Sequence, residues 1–123
     1  MATILLVDDE RLIRRSVGRL LSRRHTVLTA ASGEEALEIL DDQAVDVILT
    51  DIMMPGIGGA GLYARLSLQL RQRVILMTGT VDDVDVQNFI QLVSAPLLLK
   101  PFFLHELQEA VGKVLRSSSA ARL

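Results

Sequence analysis

The sequence contains no cysteine, so disulfides, thiolate metal sites and cysteine nucleophiles are excluded, and this usage fits a reducing compartment. Aromatics are scarce: one Tyr, three Phe and no Trp make up 3% of 123 residues, so any core must be aliphatic. No apolar run approaches the ~20 residues that a membrane helix needs. The start, Met1-Ala2-Thr3-Ile4-Leu5-Leu6-Val7, lacks the basic region of a signal peptide and runs into Asp8-Asp9-Glu10. Neither sign of charge dominates: 13 basic and 15 acidic residues leave a net charge of -2. That balance argues against a nucleic-acid binder held by bulk positive charge, and a 50% hydrophobic content argues against disorder. The expectation is one soluble, cytoplasmic globular domain.

What the sequence does have is a repeating rhythm. Ile4 to Val7 is a short, continuously apolar run, as expected of a parallel strand buried on both faces. Val27 to Ala30, Val45 to Thr50, Val74 to Thr78 and Leu97 to Leu99 resemble it, each separated from the next by enough chain for a helix. The first intervening segment places Ile13, Val17, Leu20 and Leu21 on one face and Arg14, Arg15, Arg19, Arg23 and Arg24 mostly elsewhere, which predicts a basic amphipathic helix. Ser32 with Glu35 reads as a capping box ahead of Ala36, Leu37 and Leu40. Leu62, Leu66 and Leu70 predict a third helix after Gly58-Gly59. Thr80 with Asp83 predicts the cap of a fourth carrying Val86, Phe89, Ile90 and Val93, and Leu104, Leu107, Val111 and Val114 mark a fifth. Five strands alternating with five helices predict an α/β three-layer sandwich, a parallel sheet covered on both faces. After Arg116 the apolar rhythm stops, so residues 117–123 are expected to be a frayed tail or linker stub on a domain of residues 1–116.

The distinctive polar residues fall at the carboxyl ends of the predicted strands: Asp8-Asp9 after the first, Asp51 after the third, Thr78 after the fourth and Lys100 after the fifth. Open α/β sheets bind ligands at that edge. Should the strand order be 2-1-3-4-5, the first and third strands are neighbours and Asp8, Asp9 and Asp51 converge. Converging carboxylates raise one another's pKa unless a cation sits among them, and Mg²⁺, which binds through a few carboxylates plus waters and phosphate oxygens, suits the cluster better than Ca²⁺. Asp51, where a rigid strand gives way to the loop Ile52-Met53-Met54-Pro55-Gly56, is the candidate nucleophile for an aspartyl-phosphate. Lys100, one of only two Lys among the 13 basic residues, is a candidate point charge for a phosphoryl oxygen, and Thr78 offers a hydroxyl to another.

From Ile4 to about Leu115 the chain resembles a response-regulator receiver domain. The resemblance rests on Ile4-Leu5-Leu6-Val7-Asp8-Asp9-Glu10, Asp46-Val47-Ile48-Leu49-Thr50-Asp51-Ile52-Met53-Met54-Pro55-Gly56, Met77-Thr78-Gly79 and Leu99-Lys100-Pro101-Phe102. It implies a doubly wound, flavodoxin-like sheet of five parallel strands in the order 2-1-3-4-5 with five helices. It also implies phosphorylation of Asp51 by a histidine kinase or histidine phosphotransfer protein. Mg²⁺ would be held by Asp9, Asp51, the backbone carbonyl of Met53 and, through water, Asp8. Thr78 would act as switch hydroxyl, Lys100 as the phosphoryl charge partner, and the Lys100-Pro101 bond would be cis. Such a chain is a signalling phosphoacceptor rather than an enzyme, although it catalyses its own phosphotransfer and autodephosphorylation. The expected partners are a kinase or phosphotransfer protein, a downstream protein target, and a second copy through the face of the fourth and fifth helices, with no nucleic acid and no membrane.

Three departures stand out. Gly58 takes a place where many receivers have an acidic residue. Leu97 stands where many have a Tyr or Phe that rotates inward as Thr78 moves, a coupling that Leu cannot reproduce. Val93-Ser94-Ala95-Pro96 replaces a common Gly-Ala turn. Plainer readings exist for single residues. Asp8-Asp9 alone would more often cap a helix, Lys100 alone could be a surface residue and Thr78 a turn hydroxyl. The basic stripe of the first helix is equally a solvated face or a docking surface, and neither His25 nor His105 lies at ligand spacing. Two rivals to a phosphorylation switch remain: a pseudo-receiver that binds partners without switching, and a Mg²⁺-dependent phosphohydrolase, for which the chain has no cap domain.

Overall fold

The computed structural model describes residues 1–121, with side chains through Ser117. Five parallel strands, β1 (Thr3–Val7), β2 (Thr26–Ala30), β3 (Val47–Asp51), β4 (Val74–Thr78) and β5 (Leu97–Leu99), form one sheet in the order β2-β1-β3-β4-β5. The helices are α1 (Arg11–Ser22), α2 (Gly33–Asp42), α3 (Gly58–Arg65), α4 (Leu68–Arg71), α5 (Val84–Leu92) and α6 (Leu104–Ala121). The continuous apolar runs follow from the layering. Ile4 and Leu6 of β1 enter a cluster with Val17 and Leu21 of α1 and Leu107 and Val111 of α6. Leu5 and Val7 point the other way, to Ala36 of α2, Leu62 of α3 and Val86 of α5. A strand covered on both sides has no face on which a polar residue would be solvated.

Several expected boundaries shift, each for a local reason. There are six helices among the described residues rather than five, because the predicted third helix breaks at Leu66, whose backbone is extended. Ser67 then caps the short α4 by accepting from the Leu70 N–H, while Arg71 closes the end of α3 by donating to the carbonyls of Tyr63 and Ala64. The fourfold leucine spacing survives the break because all three leucines still face inward. Asp83, not Thr80, caps α5, its Oδ1 accepting from Val86 N–H at 3.0 Å. The Ser32 cap of α2 holds at 3.1 Å, with Glu35 reaching back to the Ala31 N–H. β3 starts at Val47 because Asp46 is used as an anchor, exchanging bonds of 2.8 Å with both the N–H and the carbonyl of Thr3. It also runs one residue further than expected, so that Asp51 is its last member. Residues 117–121 of the expected tail continue the backbone of α6, since helical hydrogen bonds run within the backbone and need no apolar rhythm; residues 122–123 lie outside the described residues.

Candidate functional site at the carboxyl edge of the sheet

Because β1 and β3 pair in register, with Val7 beside Thr50, the next residues of the two strands, Asp8 and Asp51, emerge side by side. One oxygen of Asp8, Asp9 and Asp51 each lies within 4.8 Å of the others. Asp8 is fully buried, Asp51 nearly so, and Asp9 exposed. Lys100 arrives from the far side of β4. Its N–H donates to the Thr78 carbonyl at 2.9 Å, it precedes a cis peptide bond to Pro101, and its Nζ reaches Asp8 Oδ2 at 2.7 Å and Asp51 Oδ2 at 3.4 Å. Among the described residues these are the only ion pairs, and the first joins groups 92 positions apart in the chain.

The remaining bonds fix Asp8 rather than leave it to solvent. Its Oδ1 accepts from the Glu10 N–H at 2.9 Å, and its backbone carbonyl accepts from Arg14 Nη1 at 2.8 Å. The capping alternative for the acidic pair is thereby set aside, since Glu10 occupies the N-cap position of α1. Arg14, grouped by sequence with the polar face of α1, is a half-buried site neighbour. Its only signal was its position one helical turn past the acidic run.

Burial pushes the Asp51 carboxyl up to about 6, with Lys100 opposing that shift and Asp8 adding to it. Lys100 is itself held above its ordinary value: burial works against its charge, but the hydrogen bond to Asp8 and the charge of Asp51 outweigh burial. Thr78 is buried at the end of β4, where its Oγ1 donates to the Thr80 carbonyl at 2.9 Å and accepts from the Thr80 N–H at 3.2 Å. Its hydroxyl is therefore engaged in the loop that leads to α5. Met53 lies on the loop after β3 with its side chain half exposed. His25 is remote from the cluster: its Nδ1 accepts from the Ala2 N–H, and burial lowers its pKa.

Two glycines let α3 approach the site. Gly58 has φ +65°, which suits glycine and would strain an acidic side chain. Gly59 donates to the Ile52 carbonyl at 2.9 Å, and a Cβ there would overlap the Asp51 carbonyl oxygen. Sequence reading passed over Gly59 and also Glu34, whose Oε1 accepts from Ile57 N–H and tethers the same loop from α2. Neither is marked by charge pairing or spacing, because each acts on backbone brought close only by the fold.

The model of the response regulator receiver domain matches residues 4–112. The chain belongs to this family. Among curated relatives, the receiver is 35% identical over 117 residues to the transcriptional regulatory protein AfsQ1 of Streptomyces coelicolor, covering 94% of this chain and 52% of that one. It is 36% identical to part of the sensor kinase CckA of Brucella abortus, covering 93% of this chain and 12% of that protein. The chain thus spans about half the length of most of the curated relatives it matches. Among solved structures, the signal receiver domain of an HD domain-containing protein from Pseudomonas fluorescens superposes with a TM-score of 0.86 at 28% identity, covering 96% and 97% of the two chains. A response regulator receiver domain protein from Clostridium thermocellum gives 0.85 at 26% identity, over 98% and 99%. The five-stranded, doubly wound receiver fold with its 2-1-3-4-5 order is therefore shown by topology and by likeness alike.

Proposed function

We propose that this receiver, taken as residues 1–116, accepts a phosphoryl group on Asp51 from a histidine of a kinase or phosphotransfer protein and so changes a protein-binding surface. The observation that carries the reading is the ammonium of Lys100 set between Asp8 and Asp51 at 2.7 and 3.4 Å, with Asp9 beside them at the rim. The donor set is hard and all-oxygen, which suits Mg²⁺. Asp9, Asp51 and the Met53 carbonyl would hold the ion directly. Asp8 would act through water, as both its oxygens already carry partners. Bound there, Mg²⁺ supplies positive charge for the phosphoryl oxygens.

The chain's own residues account for the rest. With its pKa pushed up to about 6, Asp51 is more basic than a free carboxylate yet largely ionised at neutral pH. One of its oxygens attacks phosphorus, the bond from phosphorus to the imidazole nitrogen of the donor breaks, and that nitrogen keeps the electron pair and takes up a proton. Lys100 then pairs with a phosphoryl oxygen. Thr78 exchanges its bond to the Thr80 carbonyl for another phosphoryl oxygen, drawing the loop before α5 inward. The output is contact with a downstream protein or a homodimer through the face of α5 and α6, in the cytoplasm. Among the described residues no helix is long and apolar enough to cross a membrane. Incubation with acetyl phosphate and Mg²⁺ should add one phosphoryl mass to the wild type and none to Asp51→Asn; label retained by the variant would refute the assignment.

Leu97 favours a second reading. It lies half-buried in the cluster that also holds Phe89 and Ile90 of α5, so the position that would couple Thr78 to the surface carries no ring to rotate. A pseudo-receiver would then bind partners in one conformation. Titration with beryllofluoride and Mg²⁺, followed by NMR, separates the two: a switch shifts resonances around Thr78 and along α5, whereas an inert module shifts neither.

A further inference from the structure

The two sides of the sheet carry opposite charge. Six of the 13 basic residues lie between Arg11 and Arg24, and α1 has no acidic residue in its first turn. Arg11, Arg15 and Arg19, at i, i+4 and i+8, form an exposed stripe, and Leu12 beside them is 76% exposed. On the opposite layer, a groove of about 540 Å³ runs between the loop after β3 and α5, floored by Met53, Ile57, Val86 and Phe89. The charged residues lining it are Asp83 and Asp85, with Asp82 adjacent in the chain. Among the described residues the only ion pairs are those of Lys100, so neither the α1 stripe nor the aspartates at the groove are neutralised within the molecule.

We propose that this groove receives α1 of a second copy of the chain, with Leu12 seated on the methionine-bearing floor and the arginine stripe facing Asp82 and Asp85. Methionine surfaces adapt to an inserted aliphatic side chain, and the two rims have complementary charge. Because α1 and α5 cover opposite faces of the sheet, the contact is heterologous: each copy offers one α1 and one groove, and association propagates head to tail instead of closing into a two-fold dimer. It is distinct from a pairing through α5 and α6, and concerns the unphosphorylated chain. With one apolar anchor and solvent-exposed ion pairs, the association is weak and sensitive to salt.

Sedimentation velocity across a concentration series tests it on the full chain. Wild type should show a weight-average sedimentation coefficient that rises with concentration at low ionic strength and falls back to the monomer value at about 1 M salt, where the screening length is only ~3 Å. Arg15→Glu and Asp85→Lys, both at exposed positions, should each sediment as monomers with unchanged circular dichroism. Mixing them should restore association, because the intact groove of the first variant can take the intact α1 of the second. A wild type that stays monomeric throughout, association that survives either substitution, or a mixture that remains monomeric would each overturn the proposal.

Discussion

The body of the sheet and its carboxyl rim are a few residues apart on the same strands, yet they are built from opposite chemistry. In the body, Ile4, Leu5, Leu6, Ile48, Leu49, Ile75 and Leu76 are wholly buried and aliphatic. At the rim lie the buried polar and charged side chains found among the described residues, Asp8, Thr50, Asp51 and Thr78. Burying an aliphatic side chain stabilises by about 1.5–3 kcal/mol, whereas burying a carboxylate costs several unless it is paired. The body thus supplies the stability that lets the rim hold like charges together, ready for a cation or a phosphoryl group.

The contrast can be broken most strongly in the body. Leu49→Ala removes a side chain packed among Leu6, Ile75 and Met77, and should cost about 3 kcal/mol in chemical denaturation, with little dependence on pH. At the rim, Lys100→Met leaves Asp8 and Asp51 without their ammonium and should cost about 2–3 kcal/mol near pH 7. That loss should shrink as the solution is acidified and the carboxyls protonate, and Mg²⁺ should recover part of it. An equal loss at every pH would mean that the rim is held by packing like the body. Gly59→Ala, where the new Cβ meets the Asp51 carbonyl, should cost about 2 kcal/mol and slow labelling by acetyl phosphate, since α3 must move away from the strand end.

The smallest effect sharpens the electrostatic side of the comparison. The folded-state pKa of Asp51 is raised from 3.8 to about 6, so the native state binds the proton more tightly than the unfolded chain does. Its favourable contribution is fully present below about pH 4 and is lost as pH rises through about 6. Unfolding free energy measured over that window without Mg²⁺ should therefore fall with rising pH in wild type, and the fall should be smaller in Asp51→Asn. Identical slopes would assign the titration to another group.

Much of the architecture was legible because parallel strands buried on both faces leave a signature that local reading detects. β4 and β5 were bounded as observed, and β1 and β2 each missed only an opening threonine, Thr3 or Thr26. The break between α3 and α4 was hidden because Leu66 stays buried on either side of a change in backbone conformation. Thr80 was misread as a cap because a hydroxyl and a carboxylate three residues apart satisfy the same pattern, and only the loop path shows Asp83 taking the cap. At the site, residue types at strand ends were enough to nominate Asp8, Asp9, Asp51, Thr78 and Lys100. Arg14, Glu34 and Gly59 escaped notice as site residues because each acts on backbone atoms, and a backbone partner leaves no mark in residue type.

By itself the sequence determined which segments become strand and helix and which side chains stand at the strand ends, since both follow from local periodicity and from the impossibility of solvating a polar group inside a covered sheet. Tertiary structure alone decided that β1 lies against β3, that Lys100 reaches across β4 to Asp8 and Asp51, and that the Thr78 hydroxyl turns toward Thr80. Those relations depend on the order in which strands pair and on the register between them, and such long-range pairing is set by how the two aliphatic layers close over the sheet rather than by any neighbouring residue.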